Sequence, residues 1–243
     1  MRIQRLWLRF VGIFLFLATL VLPLGVSEKF VTPCLADDDA LEAKKLVEIS
    51  KLTLESFMAD PNYPDFHKLI KMAKGVYITP EMIKGAFVLG VSGGTGVLLV
   101  KDIETGAWNG PAFYTIGGAS FGLQAGGMSS EVILLILTDR GVASLLANSV
   151  KLGADVGVAV GPVGAGASAA TANLSADIIS YTRSKGLYGG ISLEGAVVAV
   201  RDSLNEAYYS QKVTPNDILI RRTVTNPQAR GLIEEVAKAT GGK

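Results

Sequence analysis

From Asp37 to about Lys74, apolar residues recur at helical spacing, with Leu46, Ile49, Leu52/Thr53 and Phe57 along one stripe. Asp39-Ala-Leu-Glu42 supplies an N-cap with a reciprocal Glu at N3. After the turn ADPNYPDF, a second short helix is predicted over Phe66–Lys74. From Gly75 to about Val200 the pattern changes to short apolar or alternating runs, broken by the turn signals SGGTG, ETGAWNGP, AGGMSS and SKG. Strands are predicted over Gly75–Thr79, Ile83–Ser92, Gly96–Asp102, Ala112–Ala125, Glu131–Thr138, Lys151–Val160, Ile178–Ser184 and Leu187–Val200, with one clear helix between them at Arg140–Asn148. Beyond Arg201 the helical pattern returns in RDSLNEAYYSQ, in TPNDILI from Pro215, and in NPQARGLIEEVAKAT.

So many adjacent strands with short connections predict an α+β fold whose sheet is mainly antiparallel. Glycines inside the strands refine this. In IGGASFGLQAGG one face carries Ile116, Gly118, Ser120, Gly122, Gln124 and Gly126 and is nearly bare. Glycine weakens a strand unless backbones approach closely or the sheet bends. The expected architecture is therefore a strongly curved, Gly-rich sheet or half-closed barrel, with N-terminal and C-terminal helices packed on it.

The first residues stand apart. Arg2, Arg5 and Arg9 precede the apolar run Phe10–Leu24, the layout of a secretory signal peptide. The run falls short of the roughly 20 residues of a membrane span. Cys34-Leu35-Ala36 places the expected cleavage before Asp37, with a cut near Ser27 as the alternative, and the rest of the chain reads as a single domain. The expected location is exported: periplasmic or otherwise envelope-associated. Without residues 1–36, four of the 23 basic and one of the 22 acidic residues are lost, leaving a net charge of −2. No global cationic field exists to hold nucleic acid, so any anion binding must come from a local patch.

That same portion has no cysteine and one histidine, His67. Disulfides, thiol nucleophiles and zinc sites built on Cys or several His lack ligands, and neither a catalytic set, a metal site nor a cofactor is expected. Gly164-Ala-Gly166-Ala-Ser-Ala169 fits a dinucleotide-binding turn, but the residues after Ala169 supply neither the full helix nor the acidic residue about twenty positions on. SGGTGVLLVK lacks the Gly-Lys-Ser/Thr of a phosphate loop. Ser129-Ser130-Glu131 has no nearby histidine in sequence. Asp155 and Glu194 interrupt strands, either facing solvent or pairing with Arg183, Lys185 or Arg201.

Several ordered motifs carry a resemblance: KGVYITPEMIKGAFVLGVSGGTGVLLVKD, WNGPAFYTIGGASFGLQAGGMSSEVILLIL, KLGADVGVAVGPVGAGASAAT, SYTRSKGLYGGISLEGAVVAVR and LNEAYYSQKVTPNDIL. Together, over roughly Leu41 to Ile220, they resemble the SYLF family, also called the yeast-type actin-binding domain family. The resemblance implies a non-enzymatic module that binds phosphoinositides or other anionic phospholipids, with lipid contact in the N-terminal helical part. It assigns Leu46, Ile49, Leu52 and Phe57 to membrane insertion and Lys44, Lys45, Lys51, Lys68, Lys71 and Lys74 to head groups. The export signal argues against actin as a ligand and leaves anionic lipid in the envelope as the expected partner. The alternative is a structural or protein-interaction role with an envelope protein, in which the N-terminal helix packs on its own core or on that partner.

Overall fold

A computed structural model describes residues 32–86, 89–121, 126–161, 175–184 and 193–242. Residues Leu35–Lys243 group into one compact unit. Helix α1 (Thr32–Ala59) is followed by the short α2 (Phe66–Leu69) and a 3-10 turn, Ile70–Met72. Four long strands come next: β1 (Gly75–Ala86), β2 (Leu89–Lys101), β3 (Trp108–Phe121) and β4 (Gly126–Ile136). After these come α3 (Asp139–Leu145), β5 (Ser149–Lys151), β6 (Val158–Val160), β7 (Ile178–Ser184) and β8 (Val197–Val200). The chain closes with α4 (Asp202–Tyr209), α5 (Pro215–Leu219) and α6 (Arg230–Ala239).

The strands form one sheet in the order β5-β8-β3-β2-β1-β4-β7-β6, antiparallel throughout except for β6 beside β7. It curls into a half-barrel, so the expected α+β fold, the mainly antiparallel pairing and the terminal helices are all present. Each long strand serves two cores. Tyr77, Leu98, Tyr114, Ile116 and Leu134 fill the inside of the curl, where Val150, Leu152 and Val198 from the far edge meet them. Val76, Ile78, Val97, Leu99, Phe113 and Ile133 point outward, under α1, α2, α4 and α6.

Two of the expected turns are strand. SGGTG lies wholly within β2 and the Gly-Gly-Met-Ser-Ser of AGGMSS within β4. Gly75–Thr79 is the first part of the longer β1, and the expected strand Ile83–Ser92 straddles two strands, its start ending β1 and Leu89–Ser92 beginning β2; the register of β1 with β2 shifts between Ile78 and Glu81. Thr79 and Pro80 there oppose Gly96 alone, a bulge that accommodates a proline in a central strand. A Cβ on Gly96 would run into the Thr79 hydroxyl and lie 2.5 Å from the Ile78 carbonyl oxygen, so the glycine is required by the bulge and not by a turn. Lys151–Val160 is two short strands, β5 and β6. The Gly164–Ala169 turn and most of the leader lie outside the described residues, and α1 runs through the expected cleavage point after Ala36.

Candidate functional site

Helix α1 buries Ala43, Val47, Ser50, Leu54 and Phe57, spaced four, three, four and three residues apart. This stripe is rotated from the predicted one. Small residues make the close contact with the sheet, and that leaves larger apolar side chains pointing out: Leu41 is 52% exposed, Ile49 50% and Leu52 59%. Leu41, Lys45, Ile49 and Leu52 come at intervals of four, four and three, so they share the outward face. Leu46 is half-buried. Phe57, assigned to insertion by the resemblance, belongs to the core and packs on Tyr63 and Phe66 at 5.1 and 5.7 Å. The surface apolar set is therefore Leu41, Ile49 and Leu52, with Leu46 beneath. Leu41 precedes the predicted stripe and gives no periodic signal.

The helix is held along its length. In its first half, Arg201 Nη1 pairs with Glu42 at 2.8 Å. In the middle, Gln228 Nε2 donates to Glu48 Oε1 at 2.7 Å and to the Lys44 carbonyl oxygen at 3.2 Å. At the C-terminal end Arg183 of β7 gathers five contacts. It donates to Glu131 Oε2 (2.7 Å), Asp60 Oδ2 (3.2 Å), Ser56 Oγ (2.7 Å) and the Ser56 carbonyl oxygen (3.4 Å), and it stacks 4.6 Å from the centroid of Phe57. Burial pushes the Asp60 carboxyl up, but the Asn62 amide and the Arg183 guanidinium outweigh it and hold the group below the usual range. Neither Asp155 nor Glu194 takes Arg183. Both are exposed, and Asp155 caps the Lys151 backbone at 2.7 Å.

The six lysines do not form one free cluster. Lys51 pairs with Glu55 at 3.6 Å, Lys68 with Asp65 at 3.2 Å, and Lys74 with Asp139 at 2.6 Å. Lys44, Lys45 and Lys71 are exposed and make no ion pair among the described residues. Lys71 neighbours Met72, which is 58% exposed and which no sequence pattern marks out. Ser129 and Ser130 bond Glu81 (3.2 Å) and Ser184 (2.7 Å), and His67 joins neither. Among the described residues no group of three or more His, Cys, Asp or Glu is placed to hold a metal ion, and no helix is long and apolar enough to cross a membrane.

A family model described as Ysc84, Las17-binding protein actin regulator, matches residues 117–239. Human SH3 domain-containing YSC84-like protein 1 is 32% identical over 199 residues, covering 79% of this chain and 57% of the human protein. Protein YSC84 of Saccharomyces cerevisiae is 30% identical over 200 residues, covering 79% of this chain and 42% of its own length. LAS seventeen-binding protein 3 from the same yeast is 30% identical over 158 residues, or 63% and 34% of the two chains. The chain thus spans little more than half of these relatives at most. Binding is named in the description of the family model and in LAS seventeen-binding protein 3, and actin regulation in the family description alone.

Proposed function

We propose that this chain, which belongs to the Ysc84 (SYLF) family, is a non-enzymatic docking domain for anionic phospholipid membranes. The outward face of α1 meets the bilayer. The observation that carries this reading is that Leu41, Ile49 and Leu52 stand at least half exposed in a row on a helix held at Glu42 by Arg201 and at its C-terminal end by Arg183. A rigid helix presents these side chains without an ordering cost, and the bilayer interface supplies the burial they lack in the fold. Lys44, Lys45 and Lys71 contact head groups directly, whereas Lys51, Lys68 and Lys74 first exchange their carboxylate partners. The membrane is that of the envelope reached by an exported chain.

Co-sedimentation of residues 35–243 with neutral and anionic vesicles across a salt series tests the reading. Binding that requires anionic lipid and fades with salt is expected. Binding to neither vesicle overturns it. The Las17-binding description of the family favours a second reading, in which the same face docks a protein partner. Saturable binding to one envelope protein with no lipid dependence would select it.

A further inference from the structure

The outer face of the sheet is not covered to its end. Beyond the bulge, Glu81 and Ile83 of β1 lie beside Thr95 and Gly93 of β2, and this stretch, with Leu46 and Ile49 of α1, borders a cleft of about 890 Å³. We propose that this cleft binds an amphiphilic organic cation: an ammonium or guanidinium head on an apolar chain.

The volume falls within the range of small-molecule sites. Its lining is mixed, and the large apolar side chains Ile49 on the helix (50% exposed) and Ile83 on the sheet (59% exposed) supply an apolar part. The charge of its lining selects the head. Among the described residues that line it, Asp60, Glu81 and Glu131 face one cation, Arg183, whose contacts go to Asp60, Glu131, Ser56 and Phe57. The nearby Arg201 is taken by Glu42 and the Thr95 hydroxyl. Glu81 accepts only the Ser129 hydroxyl, at 3.2 Å, and has no ion-pair partner among the described residues. Among the described residues an anionic head group would find excess carboxylate and no uncommitted donor cation, while a cation completes Glu81.

Gly93 adds an independent reason. At the next residue, Gly94, a Cβ would run into the Glu81 carbonyl, so packing requires the glycine. At Gly93 a Cβ would meet nothing nearer than the Ile116 carbonyl oxygen at 3.9 Å. Internal packing does not require that bare position, and its effect is to leave the cleft open over the backbone. The cleft shares Ile49 with the proposed docking face, but the inference does not rest on membrane docking, and the positions that test it, Glu81, Ile83 and Gly93, belong to the sheet and not to α1.

Calorimetric titration of the full chain with decylammonium and with decanoate, both below micelle-forming concentrations, tests the proposal. Saturable binding of decylammonium at least about tenfold tighter than decanoate is expected, and Glu81→Gln should narrow the gap to about threefold or less. Gly93→Leu, which fills the cleft, should abolish cation binding while leaving vesicle co-sedimentation unchanged. Ile83→Lys places a competing ammonium beside Glu81 from an exposed position, so it gives the same loss without touching the core. Equal affinity for the two amphiphiles, or unchanged cation binding in Ile83→Lys, overturns the proposal.

Discussion

Arg183 stacks 4.6 Å above the ring of Phe57 while its Nη1 reaches Asp60 at 3.2 Å, so one side chain of β7 holds both the last turn of α1 and the residue just past its end. The guanidinium suits this task because its planar fork bonds and stacks at once. Arg183→Met is expected to cost about 2–4 kcal/mol, since it strands the poorly exposed Asp60 carboxylate along with Glu131. Arg183→Lys should recover less than half of that, because an ammonium cannot serve both carboxylates and the ring together. Chemical denaturation of the three proteins checks the order.

Gly96 and Gly93 look alike in SGGTG and should behave differently. Gly96→Ala places a methyl against Thr79 and Ile78, and a loss of about 3 kcal/mol or more is expected. Gly93→Ala meets open space and should change stability by no more than about 0.5 kcal/mol. Thermal melts of the pair distinguish a bulge requirement from a general need for glycine.

Ser50 is fully buried in the stripe of α1 and its hydroxyl has no hydrogen-bond partner among the described residues. Ser50→Ala removes the unpaired group and improves helix propensity, so stability should rise by about 1 kcal/mol. A melting temperature unchanged or lowered contradicts this burial.

Asp177 ties together α3, β6 and β7 by accepting from Thr138 Oγ1 at 2.6 Å and from the Gly157 amide at 3.1 Å. The Thr138 hydroxyl, then the Gly157 amide and the Arg140 charge, hold its carboxyl below the usual range against the opposing effect of burial. A depressed pKa stabilises the fold above the unfolded value, about 4, and that contribution is lost as pH falls through the folded value. Asp177→Asn should therefore lose about 1–3 kcal/mol at neutral pH and show a flatter loss of stability below about pH 4. Urea midpoints measured across pH report both.

The fold is legible in the sequence where pattern and packing coincide. Ile178–Ser184 is predicted with its observed bounds because Ile178, Ile179, Tyr181 and Thr182 concentrate strand-forming residues in a short segment that is almost wholly buried. SGGTG misleads because a turn and a glycine facing a bulge have the same composition, and only Thr79 and Pro80 on the neighbouring strand tell them apart. The face of α1 is misplaced for a related reason. Ala43, Ser50 and Thr53 carry little hydrophobicity but fit the close approach to the sheet, so counting large apolar residues shifts the stripe toward Ile49 and Leu52. The lysines are visible in the sequence, but the pairing of Lys74 with Asp139 depends on elements that sequence order does not bring together.

The central claim is that the outward face of α1 carries membrane docking, and the most direct test is the affinity of Ile49→Ser/Leu52→Ser for anionic vesicles beside the unaltered protein. Each side chain is half exposed in the fold, so burying its remaining surface is worth about 1 kcal/mol, and the pair should lower affinity roughly 10- to 30-fold. Stability should be nearly unchanged, because neither residue belongs to the core. A folded double variant that binds anionic vesicles as tightly as the unaltered protein contradicts the claim.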